Sequence, residues 1–185
     1  PDRSSGLDHD VLLQELTHGT SNRLHANGSG LATTMSGGMG EGWSDFYARA
    51  LLSSAAEPIN GNYAVGPWIT FQLGGSFADN YYYGIRRFPY AVKTFLGANG
   101  KPHNPLTFAD IDSTQINLTD GAFVPNPLFA GSAAFEVHNI GELWAMALLE
   151  VRARFISRLG FAVGNQRILQ YVTDGMKLDP ASPTL

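Results

Sequence analysis

Residues 14–18 read Gln-Glu-Leu-Thr-His, and residues 41–45 read Glu-Gly-Trp-Ser-Asp. Both segments set polar groups four positions apart, and on a helix such positions share one face. The first is the pattern His-Glu-x-x-His with its opening His replaced by Gln14. In the intact pattern two His grip one Zn²⁺, and the Glu between them acts as general base on metal-bound water. Here His18 keeps the second ligand position and Glu15 the base position. Gln14 offers an amide, whose neutral oxygen suits hard cations better than Zn²⁺. An isolated Glu-x-x-His is also common on solvated helix faces, so the segment needs support from elsewhere. Glu41 supplies it as a third ligand on a second helix, with Asp45 one turn on to accept a hydrogen bond from a ligand His. The plainer alternative is a Glu favoured by a helix N-terminus and a solvated Asp. The matching spacing in both segments favours the shared metal site.

The 185 residues suffice for one domain with a real core, and 44% are hydrophobic, so the chain is not disordered. The net charge is −4 and the basic residues are scattered, which argues against a nucleic-acid partner. No apolar run approaches the roughly 20 residues of a membrane span. The stretch 140–151 is interrupted by Glu142 and Glu150. Cysteine is absent, which excludes disulfides and thiolate zinc sites. The chain opens at Pro1 with no leader-like segment, as a mature product or an excised piece does.

Apolar periodicity predicts helices over residues 8–23, 41–54, 134–159 and 165–177. Asp8 caps the first, and Val11, Leu12, Leu13 and Leu16 are expected on its buried face. Gly37–Gly40 reads as a flexible entry to the second, which carries Trp43, Phe46, Tyr47, Ala50 and Leu51 at core spacing. The third ends at Gly160. Residues 57–134 are long and irregular, with five prolines between Pro89 and Pro127. Residues 63–72 read equally as a strand or a short helix. The fold class is mainly α, one domain with long irregular connections.

Five stretches in order carry a resemblance: 7–24 (LDHDVLLQELTHGTSNRL), 36–47 (SGGMGEGWSDFY), 84–90 (GIRRFPY), 137–144 (VHNIGELW) and 172–180 (VTDGMKLDP). The chain resembles the C-terminal part of a fungalysin-type metallopeptidase, a relative of thermolysin. The resemblance implies the helical C-terminal subdomain of a thermolysin-like metalloprotease, with its two motif helices beneath a cleft. The other wall of that cleft is an N-terminal β-rich subdomain, absent here. Residue by residue, it implies Glu15 and His138 as catalytic residues, the latter stabilising an oxyanion. His18 and Glu41 are metal ligands, Gln14 is a substituted ligand position, and Asp45 supports His18. Arg86 would bind a substrate carbonyl, with Arg87 as its competitor, and Glu136 would orient His138. The resemblance also implies Zn²⁺ as cofactor, peptides or proteins as substrates, and secretion.

Three histidines fall outside these positions. Helical geometry turns His9 away from Gln14 and sets His25 roughly 10 Å along the axis from His18. His103 matches no motif. Tyr81, Tyr82, Tyr83, Phe88 and Tyr90 are expected to pack rather than to line a substrate wall. Asn27-Gly28-Ser29 and Asn117-Leu118-Thr119 fit the glycosylation pattern. The expected activity is peptide-bond hydrolysis, impaired by Gln14 and the absent subdomain. The rivals are a non-catalytic pseudopeptidase that binds peptides or proteins, and an inert folding unit.

Overall fold

The computed structural model describes residues 4–59, 61–70, 80–92, 106–112, 114 and 133–185. The architecture is mainly α. Among the described residues four long helices carry it: α1 (His9–Leu24), α2 (Thr34–Leu52), α5 (Val137–Leu159) and α6 (Phe161–Leu178). Two single turns, α3 (Pro67–Thr70) and α4 (Asn80–Tyr83), lie between them. Helix α2 is central, with α1 on one side and α5 on the other, and α6 folds back along α5. The core follows the helical period. Met39, Trp43, Phe46 and Ala50 of α2 meet Ala145, Leu148 and Leu149 of α5 and Ile168, Val172 and Met176 of α6. No helix among the described residues is long and apolar enough to cross a membrane.

The start of α2 differs from the sequence expectation, because Gly37–Gly40 is helical. Thr33 and Ser36 form a reciprocal capping box that begins the helix at Thr34. Glycines weaken an isolated helix by about 1 kcal/mol each, and packing offsets that here. A Cβ on Gly38 would lie 2.5 Å from Ile140, and one on Gly42 would lie 2.6 Å from the Gly141 carbonyl oxygen. A Cβ on Gly141 would lie 2.6 Å from that of Glu41. The α2 and α5 backbones therefore touch, and His138, one turn before Gly141, is drawn beside Glu41. Gly42→Ala is expected to destabilise the protein by about 1–3 kcal/mol through overpacking. Gly175→Ala in α6, where a Cβ meets nothing within 4 Å, is expected to stabilise it by up to about 1 kcal/mol. Urea midpoints of the two variants check the contrast.

Helix α1 is capped as expected, the Asp8 carboxylate accepting from Asp10 N at 3.0 Å. Its buried face is a correction. Gln14, Thr17 and Ser21 point inward, whereas Leu12 and Leu16 are 43% and 60% exposed. The stripe at positions 14, 18 and 21 turns toward α2, and a helix with a polar stripe inside must leave leucines outside. Residues 63–72 combine both expectations. Tyr63 pairs antiparallel with Tyr90 and Val65 parallel with Gly84, and Pro67–Thr70 then makes one helical turn. Phe71 and Gln72 lie outside the described residues. Gly160, at φ 77°, ends α5 as expected and starts α6 at the next residue, four positions earlier than the periodicity suggests.

Candidate active site

Three elements converge beside the α1–α2 seam. Helix α1 brings Gln14, Glu15 and His18, α2 brings Glu41 and Asp45, and the first turn of α5 brings His138. Gln14 Nε2 donates to Glu41 Oε2 at 2.9 Å and lies 2.8 Å from His18 Nε2. His18 Nε2 and His138 Nε2 flank Glu41 Oε1 at 3.4 and 3.6 Å. Gln14, His18, Glu41 and His138 thus form one cluster. Glu15 takes the next position round α1 and is exposed. Glu136 caps α5 through His138 N and Asn139 N, and its Oε1 lies 2.6 Å from His138 Nδ1. The ring is therefore held with Nε2 toward Glu41.

Asp45 departs from expectation. Its hydrogen-bond partners are not His18 but Arg86 and Tyr90. Arg86 donates to it from Nε at 2.6 Å and Nη2 at 2.7 Å, and the Tyr90 hydroxyl donates at 2.5 Å. Arg86 also reaches Glu41 Oε2 at 3.4 Å. One turn deeper on α2 than Glu41, Asp45 is fully buried and needs a cationic partner there. Arg86 itself is 1% exposed, with its guanidinium engaged inside the protein. Arg87, its competitor, is equally buried and bonded to Glu142 and to the carbonyls of Asp110 and Asn139. Sequence reading did not single out the Arg87–Glu142 pair as a unit. Glu142 shares a helix face with His138 within an apolar run, and an acid so placed needs a buried cation.

His9 and His25 lie apart from this cluster. His9 is exposed. His25 is fully buried, with Nδ1 2.7 Å from the Ser21 carbonyl and its ring 4.8 Å from that of Trp43. His103 and Asn117–Thr119 lie outside the described residues. Phe88 and Tyr90 belong to the buried interior.

Burial works to raise the Glu41 carboxyl. The His18 contact and the charges of Arg86, His138 and His18 outweigh it and hold Glu41 below the usual range. Burial lowers His138, but Glu136 and Glu41 raise it overall. Burial also lowers His18, and the Glu41 hydrogen bond and charge raise it. A proton on His18 Nε2 would face the Gln14 amide donor, so two contacts compete for one nitrogen. The amide contact is the shorter at 2.8 Å, and it makes Nε2 an acceptor.

These contacts test the fit of a zinc ion. His18 Nε2 and Glu41 Oε1 are 3.4 Å apart, close to the donor spacing around tetrahedral zinc with bonds of about 2.1 Å. The third position fails. Glu41 only accepts, so Gln14 turns its NH₂ toward the pair, and that group has no electron pair to give a metal. Among the described residues, no three His, Asp or Glu side chains are arranged to hold an ion. The donor set as it stands does not fit a His-His-Glu zinc.

One turn before Gln14, burial and the neighbouring charge of Asp8 raise the Asp10 carboxyl from 3.8 to about 6. The folded state then holds a proton that the unfolded state releases. This contribution favours folding at low pH and is lost as pH rises from about 4 to 6, by up to about 3 kcal/mol. Asp10→Asn is expected to raise stability at pH 7.5 and to leave it nearly unchanged at pH 4, as read from urea unfolding at both values.

A Glu-x-x-His helix laid against a Glu-bearing helix, with a carboxylate-held His on a third, defines a metallopeptidase-type helical stack. The chain belongs to the fungalysin metallopeptidase (M36) family, whose sequence model matches residues 1–185. It is 30% identical to extracellular metalloproteinase 2 of Arthroderma gypseum, over 99% of this chain and 26% of that protein. It is 31% identical to extracellular metalloproteinase 2 of Trichophyton rubrum, over 99% of this chain and 26% of that protein. It is also 31% identical to extracellular metalloproteinase MEP of Fusarium vanettenii, over 100% of this chain and 26% of that protein. The chain spans about a quarter of the length of these curated relatives.

Proposed function

We propose that this chain is the helical, ligand-bearing subdomain of a secreted fungalysin-type zinc endopeptidase whose hydrolytic site is impaired at Gln14. The observation that carries this reading is the convergence of Gln14, His18 and Glu41 on one point. His18 and Glu41 keep zinc-like spacing, so the site departs from a His-His-Glu set at one position. Glu15, exposed at the next position round α1, would take a proton at its carboxylate. His138 donates from Nδ1 to Glu136, and in its protonated form, which Glu136 and Glu41 favour, it presents Nε2 as a donor toward developing negative charge. The names of the relatives support an extracellular location and a protein or peptide substrate. On this reading an N-terminal β-rich subdomain completes the substrate cleft.

A second reading is a pseudopeptidase that binds peptides without cleaving them. The Gln14 amide favours it, because a satisfied hydrogen-bond bridge leaves Glu41 and His18 no need of a metal. The experiment measures zinc content after dialysis, cleavage of an unstructured peptide, and binding of that peptide. Residual cleavage that is lost in Glu15→Gln supports an impaired peptidase. Peptide binding without metal or cleavage selects the second reading.

A further inference from the structure

Two turns along α2 from Glu41, two arginines line cavities that hold one carboxylate. Arg49 of α2 and Arg152 of α5 line a cavity of about 20 Å³ together with Tyr63. An adjoining cavity of about 20 Å³ is lined by both arginines and by Glu57. Each space suits about one water-sized group. Arg49 pairs with Glu57 and lies 3.6 Å over the Tyr63 ring, and its buried Nε has no hydrogen-bond partner. Arg152 is 9% exposed and, among the described residues, donates only to neutral oxygens, Asn165 Oδ1 at 2.6 Å and Ser53 Oγ. Among the described residues, Glu57 is the one acid lining either cavity. Among the lining groups two guanidiniums meet one carboxylate, and Arg152 is nine-tenths buried, where a charge without its counter-charge is costly.

We propose that Arg49 and Arg152 form a binding site for one small monovalent anion, a chloride ion or a single carboxylate group. The guanidinium N–H fork suits either ligand, and the cavity is too small for sulfate or phosphate. Burial and the nearby Arg49 charge pull Arg152 from 12.5 down to about 10, in keeping with a cation that lacks its counter-charge. The site stands independently of the peptidase reading, since none of its residues belongs to the Gln14 cluster.

The test is thermal unfolding of the whole chain at constant ionic strength, with gluconate replaced stepwise by chloride, acetate or sulfate. A ligand bound only by the folded state leaves Tm unchanged well below its Kd and raises it with the logarithm of concentration above, by about 3–6 °C at tenfold excess over Kd. Such a rise with chloride alone identifies a halide site, and with acetate a carboxylate site. Arg152→Gln should abolish the response. Glu57→Gln should lower the concentration at which the rise sets in severalfold, because the competing carboxylate is gone. That reading decides the matter if Arg152→Gln fails to fold. No such rise with chloride or acetate overturns the proposal. So does a sulfate response equal to that of chloride, or a Glu57→Gln onset unchanged or raised.

Discussion

Gln14→His is expected to complete a His-His-Glu donor set, with affinity for Zn²⁺ at least about 100-fold above that of the parent. Losing even an outer hydrogen-bond partner of a ligand costs 10- to 100-fold in affinity, so gaining a whole imidazole donor should exceed that range. The other parts stand in place. His18 Nε2 and Glu41 Oε1 are already 3.4 Å apart, and an imidazole at position 14 enters where the amide NH₂ now sits. The same substitution removes the two amide hydrogen bonds that hold Glu41 and His18. Without metal the variant should therefore be about 1–2 kcal/mol less stable than the parent. With zinc at 100 times its Kd it should gain about 2.7 kcal/mol by mass action. The predicted signature is a crossover: Tm below the parent in chelator and above it in zinc. Calorimetric titration and melting of both proteins measure it. A variant that binds zinc no better than the parent would show that the site has decayed beyond one ligand, and the pseudopeptidase or inert-unit reading would then replace the peptidase one.

Much of this cluster is legible in the sequence because helical periodicity is a local property. Gln14 and His18 are four apart, as are Glu41 and Asp45, and a capped α1 with a core-spaced α2 leaves few ways to place them. Gly160 and Asp8 likewise mark helix ends by their own chemistry. What the sequence hid depends on partners far along the chain. The glycines at 37–40 read as a loop because their reason for being helical is α5, about a hundred positions on. Leu12 and Leu16 read as core because leucine usually is; only the demand for Gln14 and His18 against α2 turns them outward. Asp45 read as the support of His18 because the two share the motif region. Its actual partner, Arg86, comes from a segment whose position no local period announces.

That buried pair carries the second large effect. Arg86→Met is expected to destabilise the protein by about 3–5 kcal/mol, because it strands the Asp45 carboxylate inside the protein with, among the described residues, only the Tyr90 hydroxyl donating to it. It also removes the guanidinium that lies 3.4 Å from Glu41, so the cluster loses a charge that helps keep Glu41 ionised. A residue whose task is only to hold a substrate carbonyl would predict little change in stability. The double variant Arg86→Met with Asp45→Asn separates the two cases. Asparagine keeps an acceptor for Tyr90 while removing the buried charge, and a buried ion pair replaced on both sides is often near neutral. Urea unfolding at pH 7 should then rank the parent first, the double variant close behind and Arg86→Met well below. A loss under about 1 kcal/mol for Arg86→Met, the size of an exposed pair, would show that this bridge does not hold α2 against the chain segment at Tyr90, and would return Arg86 to substrate binding alone.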